Sequence, residues 1–325
     1  MDPKKTPWLD FEQPIAELEE RIRTLEDTAS LRGVDVTDEV GRLRERVLKL
    51  GKDIFSNLDP WQRVQLARHP RRPTMLDYMR LVCDRFVELH GDRSYRDDPA
   101  LITGMAWIGD HRVMAIGHQK GRDTKSNVHR NFGMVHPEGY RKALRLMELA
   151  ARHGRPIVTF IDTPGAYPGV GAEQRGQGEA IARNLREMSG LPVPVLVFIT
   201  GEGGSGGALA LAVGNRVTML ENSIYSVISP EGCAAILWRD RAKASEAARA
   251  MKITAADAMK LGAIDRVLAE PPGGAHRDHA AAAAAIRGCI LNDLAELSGK
   301  NPAELIDERI DKFLAMGIFA EPEDR

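Results

Sequence analysis

Two glycine-rich segments, each directly after an apolar run, constrain this chain more than any other feature. The first is Ile161-Asp162-Thr163-Pro164-Gly165-Ala166-Tyr167-Pro168-Gly169-Val170-Gly171-Ala172. The second is Thr200-Gly201-Glu202-Gly203-Gly204-Ser205-Gly206-Gly207-Ala208-Leu209-Ala210-Leu211. The runs before them, Ile157–Ile161 and Val193–Ile199, read as buried parallel strands. A helix-like stretch follows each segment. Their spacing of about 40 residues is that of one strand–loop–helix–strand repeat. Neighbouring parallel strands bring both loops to one edge of the sheet. There, backbone N–H groups without internal partners can bind one developing negative charge.

The chain is long enough for one large domain with appendages, or for two domains. Its formal net charge of −1 creates no global field favouring nucleic acid or membrane. Cys83, Cys233 and Cys289 are far apart with no CxxC spacing, so neither a disulfide framework nor a zinc site is signalled. The histidines form no HxxxH pair, and no metal is expected in this chain. The chain starts Met1-Asp2-Pro3-Lys4-Lys5 with no apolar core behind it, unlike a signal peptide. No apolar run approaches the ~20 residues of a membrane span. The expectation is a cytoplasmic protein.

The first sixty residues read as a helical pair. Ile15, Leu18, Ile22 and Leu25 form one stripe, and Val40, Leu43, Val47 and Leu50 form another. Thr37 or Asp38 is placed to cap the second helix. The pair either packs on its own core or meets a partner subunit. Asp59-Pro60-Trp61 and His69-Pro70-Arg71-Arg72-Pro73 read as a linker. A helix is predicted from Met75 to His90, then strands at Leu101–Ile108 and Val113–Gly117, and a helix from Pro137 to His153. The two glycine repeats follow, with helices at 172–189 and 206–213. Beyond them come strands at Arg216–Leu220 and Ser223–Ile228 and a helix at 231–238. Helices near 242–250 and 254–261, a strand at Ile264–Leu268, and helices near 277–298 and 302–315 complete the chain. The alternation implies a parallel α/β architecture. It divides into an extension with linker, 1–73, a main domain, 74–298, and a C-terminal tail, 299–325.

Ligands of such sheets sit at the carboxyl ends of the strands, where both glycine segments lie. An amide at Gly165 or Ala166 and one at Gly206 or Gly207 can together form an oxyanion hole. One such donor is worth roughly 3–4 kcal/mol in mutational studies of other enzymes. Gly169-x-Gly171 lacks the third glycine of a dinucleotide fingerprint, and the Gly-Lys-Ser/Thr of a P-loop is absent. Gly203-x-Ser205-x-Gly207 does match a nucleophile elbow, which makes a serine hydrolase using Ser205 a serious alternative. The only histidines after Ser205 are His276 and His279, beside a Pro/Gly loop. The bland alternative is that the glycines only permit tight turns.

The stretch from Asp162 to Ala172 with that from Gly201 to Ala210 closely resembles the bacterial acetyl-CoA carboxylase carboxyltransferase alpha-subunit family. So do Asn131–Met134 with Pro137–Met147, Tyr225–Trp238, Leu261-Gly262 and Gly273–Arg277. The resemblance spans nearly the whole chain. Gln174 stands where Glu is expected and His129 where an aromatic is expected; neither touches the glycines. The resemblance implies a crotonase-like (ClpP/crotonase) superhelix of ββα repeats, with an N-terminal helical hairpin and C-terminal helices. It implies carboxyl transfer from carboxybiotin, on biotin carboxyl carrier protein, to acetyl-CoA, giving malonyl-CoA for fatty acid biosynthesis. It also implies a beta subunit bearing the zinc and a second oxyanion hole, in an alpha2beta2 heterotetramer. Biotin carboxylase joins these in the holoenzyme. Charge left on the biotin ureido oxygen would then meet the hole of Gly165, Ala166, Gly206 and Gly207, and the thioester would meet the partner's.

Between Gln119 and Arg145 stand Lys120, Arg122, Lys125, Arg130, Arg141, Lys142 and Arg145, against only Asp123 and Glu138. Such a basic wall suits the phosphates of CoA, with Lys120 and Arg122 as the first candidates. A solvated face or ion pairs with a partner account for it equally. RNA is disfavoured because only Phe132 and Tyr140 interleave the charges. Arg175 is placed to bond a ligand carbonyl or to form a salt bridge. Tyr167 is placed to wall the biotin rings or simply to pack. Gly169, Gly204 and Ser205 share that edge and complete the substrate-binding candidates. Glu202 and Glu231 read as caps of helix N-termini.

Overall fold

A computed structural model describes residues 8–317 of the chain. The Met1–Lys5 opening lies outside the described residues, as does the end of the tail. Helices α1 (Gln13–Arg32) and α2 (Thr37–Ser56) form the expected hairpin. Gly33 closes α1 in the left-handed conformation, φ 65°, which a glycine adopts without steric cost. The turn is held by Asp35, whose carboxylate accepts from Thr37 N–H and Oγ1 at 2.9 and 2.6 Å. This differs from the expected cap at Thr37 or Asp38, because Thr37 is already the first helical residue.

The proposed linker contains a further helix, α3 (Pro60–Ala67), with Pro60 at its first position and Asp59 as its cap. Helix α4 (Met75–Val82) stops early, and strand β1 (Arg85–Glu88) takes the place of its predicted second half. β2 (Leu101–Ile108) and β3 (His111–His118) pair as an antiparallel hairpin. α5 (Thr124–His129) and α6 (Pro137–Arg152) precede β4 (Ile157–Thr163). The predicted 172–189 helix is two, α7 (Val170–Gln174) and α8 (Gln177–Ser189), broken at Gly176 with φ 80°. β5 (Val195–Gly204) runs straight into the one-turn helix α9 (Ser205–Leu209). β6 (Arg216–Leu220), β7 (Ile224–Ser226), α10 (Pro230–Trp238), α11 (Ala244–Ala250), α12 (Ala255–Lys260) and β8 (Arg266–Leu268) follow. α13 (His279–Leu297) and α14 (Pro302–Leu314) end the described chain.

The sheet order is β1-β2-β3-β4-β5-β6-β8, with β7 paired to the far end of β5. From β3 onward the pairing is parallel. Along β5, Val195, Val197 and Ile199 face the core under α6 and α8, whereas Leu196 and Phe198 face the core under α4 and α13. Both faces are thus covered, which is why the strands read as unbroken apolar runs. Tyr78, Phe160 and Phe198 stack in series on the second face, with centroids 5.7 and 5.8 Å apart.

The C-terminal α14 is fastened by Arg309, which is wholly buried. Its guanidinium donates to the carbonyls of Met188, Leu191 and Val193 at 2.6–3.0 Å. It also reaches Asn215 Oδ1 at 2.6 Å. Those carbonyls lie at and just beyond the end of α8, where helical acceptors run out. The N-terminal hairpin is fastened to the 270–277 loop: Glu12 Oε1 lies 3.1 Å from His276 Nε2, and Glu19 pairs with Arg277.

Candidate active site

The glycine segments meet through their backbones. A Cβ added at Gly207 would stand 2.5 Å from Gly165 C and 2.6 Å from Ala166 N. One added at Gly204 would stand 2.2 Å from Pro164 O. Only glycine permits either approach. The second segment is not a loop, as its composition suggests. It stays in strand to Gly204, held between Thr163 of β4 and Tyr225 and Ser226 of β7.

The hydrogen bonding narrows the candidate donors. Gly165 N–H already donates to Thr163 Oγ1 at 3.1 Å. Ala166 N–H has no partner among the described residues. Gly206 and Gly207 lie in the first turn of α9, so their N–H groups have no intrahelical acceptor. The geometry therefore offers Ala166 with Gly206 or Gly207. α9 has five residues rather than the predicted eight, so local amides matter here more than a helix dipole.

Ser205 is exposed and strained, with φ 51°, on a strand-to-helix turn. That is the backbone of a nucleophile elbow, but a hydrolase also needs a base beside the hydroxyl. His276 is buried against Glu12 and stacks on His69 at 4.2 Å, and His279 Nε2 is 2.6 Å from Arg71 O. Neither serves Ser205. His118 is buried near the Gly207 and Phe160 carbonyls, and both its ring nitrogens lack a hydrogen bond. Burial pushes its pKa down to about 3, so it stands neutral.

The remaining candidates are placed as follows. Lys120 Nζ lies 2.7 Å from Asp162 Oδ1 and 2.8 Å from Glu202 Oε2. Arg122 pairs with Asp77 and Arg175 with Glu138, which is fully buried. Tyr167 stacks on His136 at 4.1 Å and lies against the backbone of Gly169. Only Tyr167, Gly169, Gly204 and Ser205 border the touching segments by sequence. Most of the basic wall is turned inward: Arg130 donates to Pro99 O, Arg141 pairs with Asp92, and Lys142 with Asp97. Arg145 donates to Gly91 O. These cations pin the 89–100 loop, so the charge excess is mostly internal. Glu231 does sit in the first turn of α10, but Glu202 lies in β5 and pairs with Lys120 and Arg68 rather than capping a helix.

Sequence reading missed the group Arg68–Glu202–Lys120–Asp162. Its signal was present: Asp162 and Glu202 are charges inside strand-like apolar and glycine runs, where an acid is rare unless paired. Glu12, His69 and His276 bring three ligand-type atoms within 4.8 Å of one another. His69 Nδ1 accepts from Arg71 N–H, which leaves the proton on Nε2, so the trio fits a hydrogen-bonded seam rather than a cation site. A cavity of about 600 Å³ lies between the hairpin and the 270–274 loop. None of its lining residues belongs to the glycine segments, so its size does not mark the reaction site.

No helix among the described residues is long and apolar enough to cross a membrane. A model of the family described as "Acetyl co-enzyme A carboxylase carboxyltransferase-like" matches residues 8–317. The chain is 57% identical over 315 residues to "Acetyl-coenzyme A carboxylase carboxyl transferase subunit alpha" of Syntrophotalea carbinolica, covering 97% of this chain and 99% of that one. It is 55% identical over 314 residues to the protein of that name from Thermus thermophilus, again covering 97% and 99%. Among solved structures, a transcarboxylase 12S chain superposes with TM-score 0.58 at 21% identity, over 71% of this chain and 42% of that one. A Pseudomonas malonate decarboxylase hetero-tetramer in complex with coenzyme A gives 0.58 at 18%, over 73% and 93%. These likenesses show the fold alone, which is crotonase-like.

Proposed function

The chain belongs to the acetyl-coenzyme A carboxylase carboxyl transferase alpha-subunit family, and from that premise we propose that it supplies one anion hole of a two-subunit active site. The observation that carries this reading is the backbone contact of Gly207 with Gly165 and Ala166. It sets amides from two strand ends side by side, with no acid–base side chain among them.

In this reading the complex moves a carboxyl group onto acetyl-CoA, giving malonyl-CoA. The donor, carboxybiotin on a biotin carboxyl carrier protein, would release CO2 and leave negative charge on its ureido oxygen; the biotin nitrogen would then take a proton from the acetyl methyl, and the resulting enolate would attack the CO2. The open space at Gly165, where an added Cβ would touch nothing within 4 Å, suits approach of a flat ring to the Ala166 amide. Ala166 and Gly206 or Gly207 then donate to that oxygen. Preorganised amides need no reorientation as the charge forms, which is the source of their effect. Tyr167, Gly169, Gly204 and Ser205 border the bound donor. The thioester oxygen is served by a hole in a beta subunit, which also carries the zinc, in an alpha2beta2 assembly with biotin carboxylase as a further component.

Exposed Val227, Ile236 and Leu237 follow β7, which pairs with the end of β5, and they offer that partner an apolar surface. The division into 1–73, 74–298 and 299–325 is part of this proposal, since the eight strands among the described residues lie between residues 85 and 268. Nothing in the comparisons favours the hydrolase. Co-expression with a zinc-ribbon beta subunit tests the reading: malonyl-CoA decarboxylation dependent on a free biotin derivative is expected only with both chains. Activity of this chain alone, or none from the assembled pair, overturns it.

A further inference from the structure

The parallel ladder between β4 and β5 is regular up to Ile161 opposite Ile199, then shifts before Thr163 meets Gly203. Asp162 occupies the break. Its Oδ1 accepts from Glu202 N–H at 3.0 Å and from Lys120 Nζ at 2.7 Å. A Cβ at Gly201 would lie 2.3 Å from that same oxygen, so the carboxylate rests directly on the β5 backbone. The Lys120 ammonium also binds Glu202 Oε2, whose second oxygen takes Arg68 Nε at 2.6 Å. Gly133, at φ 80°, allows the 131–133 turn to cover Lys120: a Cβ there would stand 2.9 Å from Lys120 Cγ. The lysine side chain is only 19% exposed. Side-chain bonds thus replace ladder bonds where the two strands lead into the touching glycine segments.

We propose that Lys120 is a positioning residue for carboxyl transfer: by bridging Asp162 and Glu202 it fixes the separation of the Ala166 and Gly207 amides. This rests on the proposed function above. It also reassigns Lys120 from the phosphate contact that the sequence suggested. Lys120 and Arg68 face three carboxylates, Asp162, Glu202 and Glu231, so the cluster has no surplus positive charge to offer a phosphate. A lysine bound between two anions loses its freedom and gives stiffness in return.

The test is Lys120→Met, Lys120→Arg and Asp162→Asn in the co-expressed two-subunit complex. kcat and KM for malonyl-CoA, thermal midpoint and assembly by gel filtration are measured together. Displacing a donor by an ångström costs about a hundredfold in rate, and Lys120→Met should lose kcat on that scale with KM unchanged and the complex intact. Lys120→Arg, which can still bridge two carboxylates, should recover most of the loss. Asp162→Asn keeps the acceptor for Glu202 N–H but removes the charge, and should lower kcat as well. It serves where Lys120→Met fails to assemble. A lowered thermal midpoint with normal kcat overturns the proposal in favour of a purely structural pair. A raised KM with normal kcat overturns it in favour of phosphate binding. An inactive wild-type complex instead sinks the function on which the proposal rests.

Discussion

Replacing Gly207 by alanine adds one methyl group where the two glycine segments touch. Its carbon would lie 2.5 Å from Gly165 C, 2.6 Å from Ala166 N and 3.0 Å from Gly165 O. All three are backbone atoms, and ordinary contact begins near 3.4 Å. The segments must therefore part by about 1 Å. A shift of that size costs about a hundredfold in rate, and outright loss of an oxyanion donor costs about 10²–10³, or about 2.7–4 kcal/mol. We expect kcat of the assembled complex to fall within that span. Gly206→Ala is the matched control. It puts the same methyl in the same helical turn, but its nearest neighbour is Ile181 Cδ1 at 3.5 Å, an ordinary contact. Its methyl does not force the two segments apart, so its kcat should fall far less than that of Gly207→Ala. The assay is biotin-dependent malonyl-CoA decarboxylation, with gel filtration to verify assembly. Normal turnover by Gly207→Ala, or equal damage from both variants, would falsify the argument that this backbone contact sets the hole.

Ser205→Ala should retain turnover and the wild-type chain should resist a fluorophosphonate probe; covalent labelling of Ser205 would revive the hydrolase. Arg309→Met leaves the carbonyls beyond α8 without their buried donor, and loss of a charged hydrogen-bond donor of this kind costs about 1.5–3 kcal/mol or more. A clear drop in thermal midpoint is expected, and an unchanged one contradicts the role given to α14. His118 gives a pH signature. The unfolded imidazole titrates near its ordinary value of 6.5, while burial holds the folded one at about 3. The unfolded state therefore binds the extra proton between those values. The stability tied to neutral His118 is present above pH 6.5 and drains as pH falls toward 3, by up to about 1.4 kcal/mol per pH unit. His118→Leu should flatten the fall in thermal midpoint between pH 6.5 and 5; parallel curves for the two proteins would refute it.

The strands that form the sheet centre were readable because both of their faces are buried. Leu101–Ile108 and Arg216–Leu220 agree to the residue. β1 was not readable: it is an edge strand of four residues, half exposed, with Arg85 and Glu88 in it, and it pairs only with β2. α3 is hidden in the sequence because Pro60 reads as a breaker, although proline at a first helical position starts a helix once Asp59 caps it. At the site, glycine composition located both segments but misjudged the second. Its strand conformation comes from neighbours on both sides, Thr163 and Ser226, not from its own propensity. The fate of the cations was beyond sequence for a related reason. Lys120 finds Glu202 82 residues away, and Lys142 finds Asp97 45 residues away. Charge counted along a segment says nothing of partners that only the fold supplies.

The seam between the N-terminal hairpin and the 270–277 loop bears on how the chain is made. Glu12 and His276 are 264 residues apart, and Arg277 and Glu19 258. α1 and α2 close on each other locally, within moments of leaving the ribosome, yet their docking site is among the last parts synthesised. At about 5–20 residues per second, the hairpin waits for most of translation with Phe55 and its neighbours uncovered. A ribosome that stalls before residue 276 leaves a hairpin with nowhere to dock.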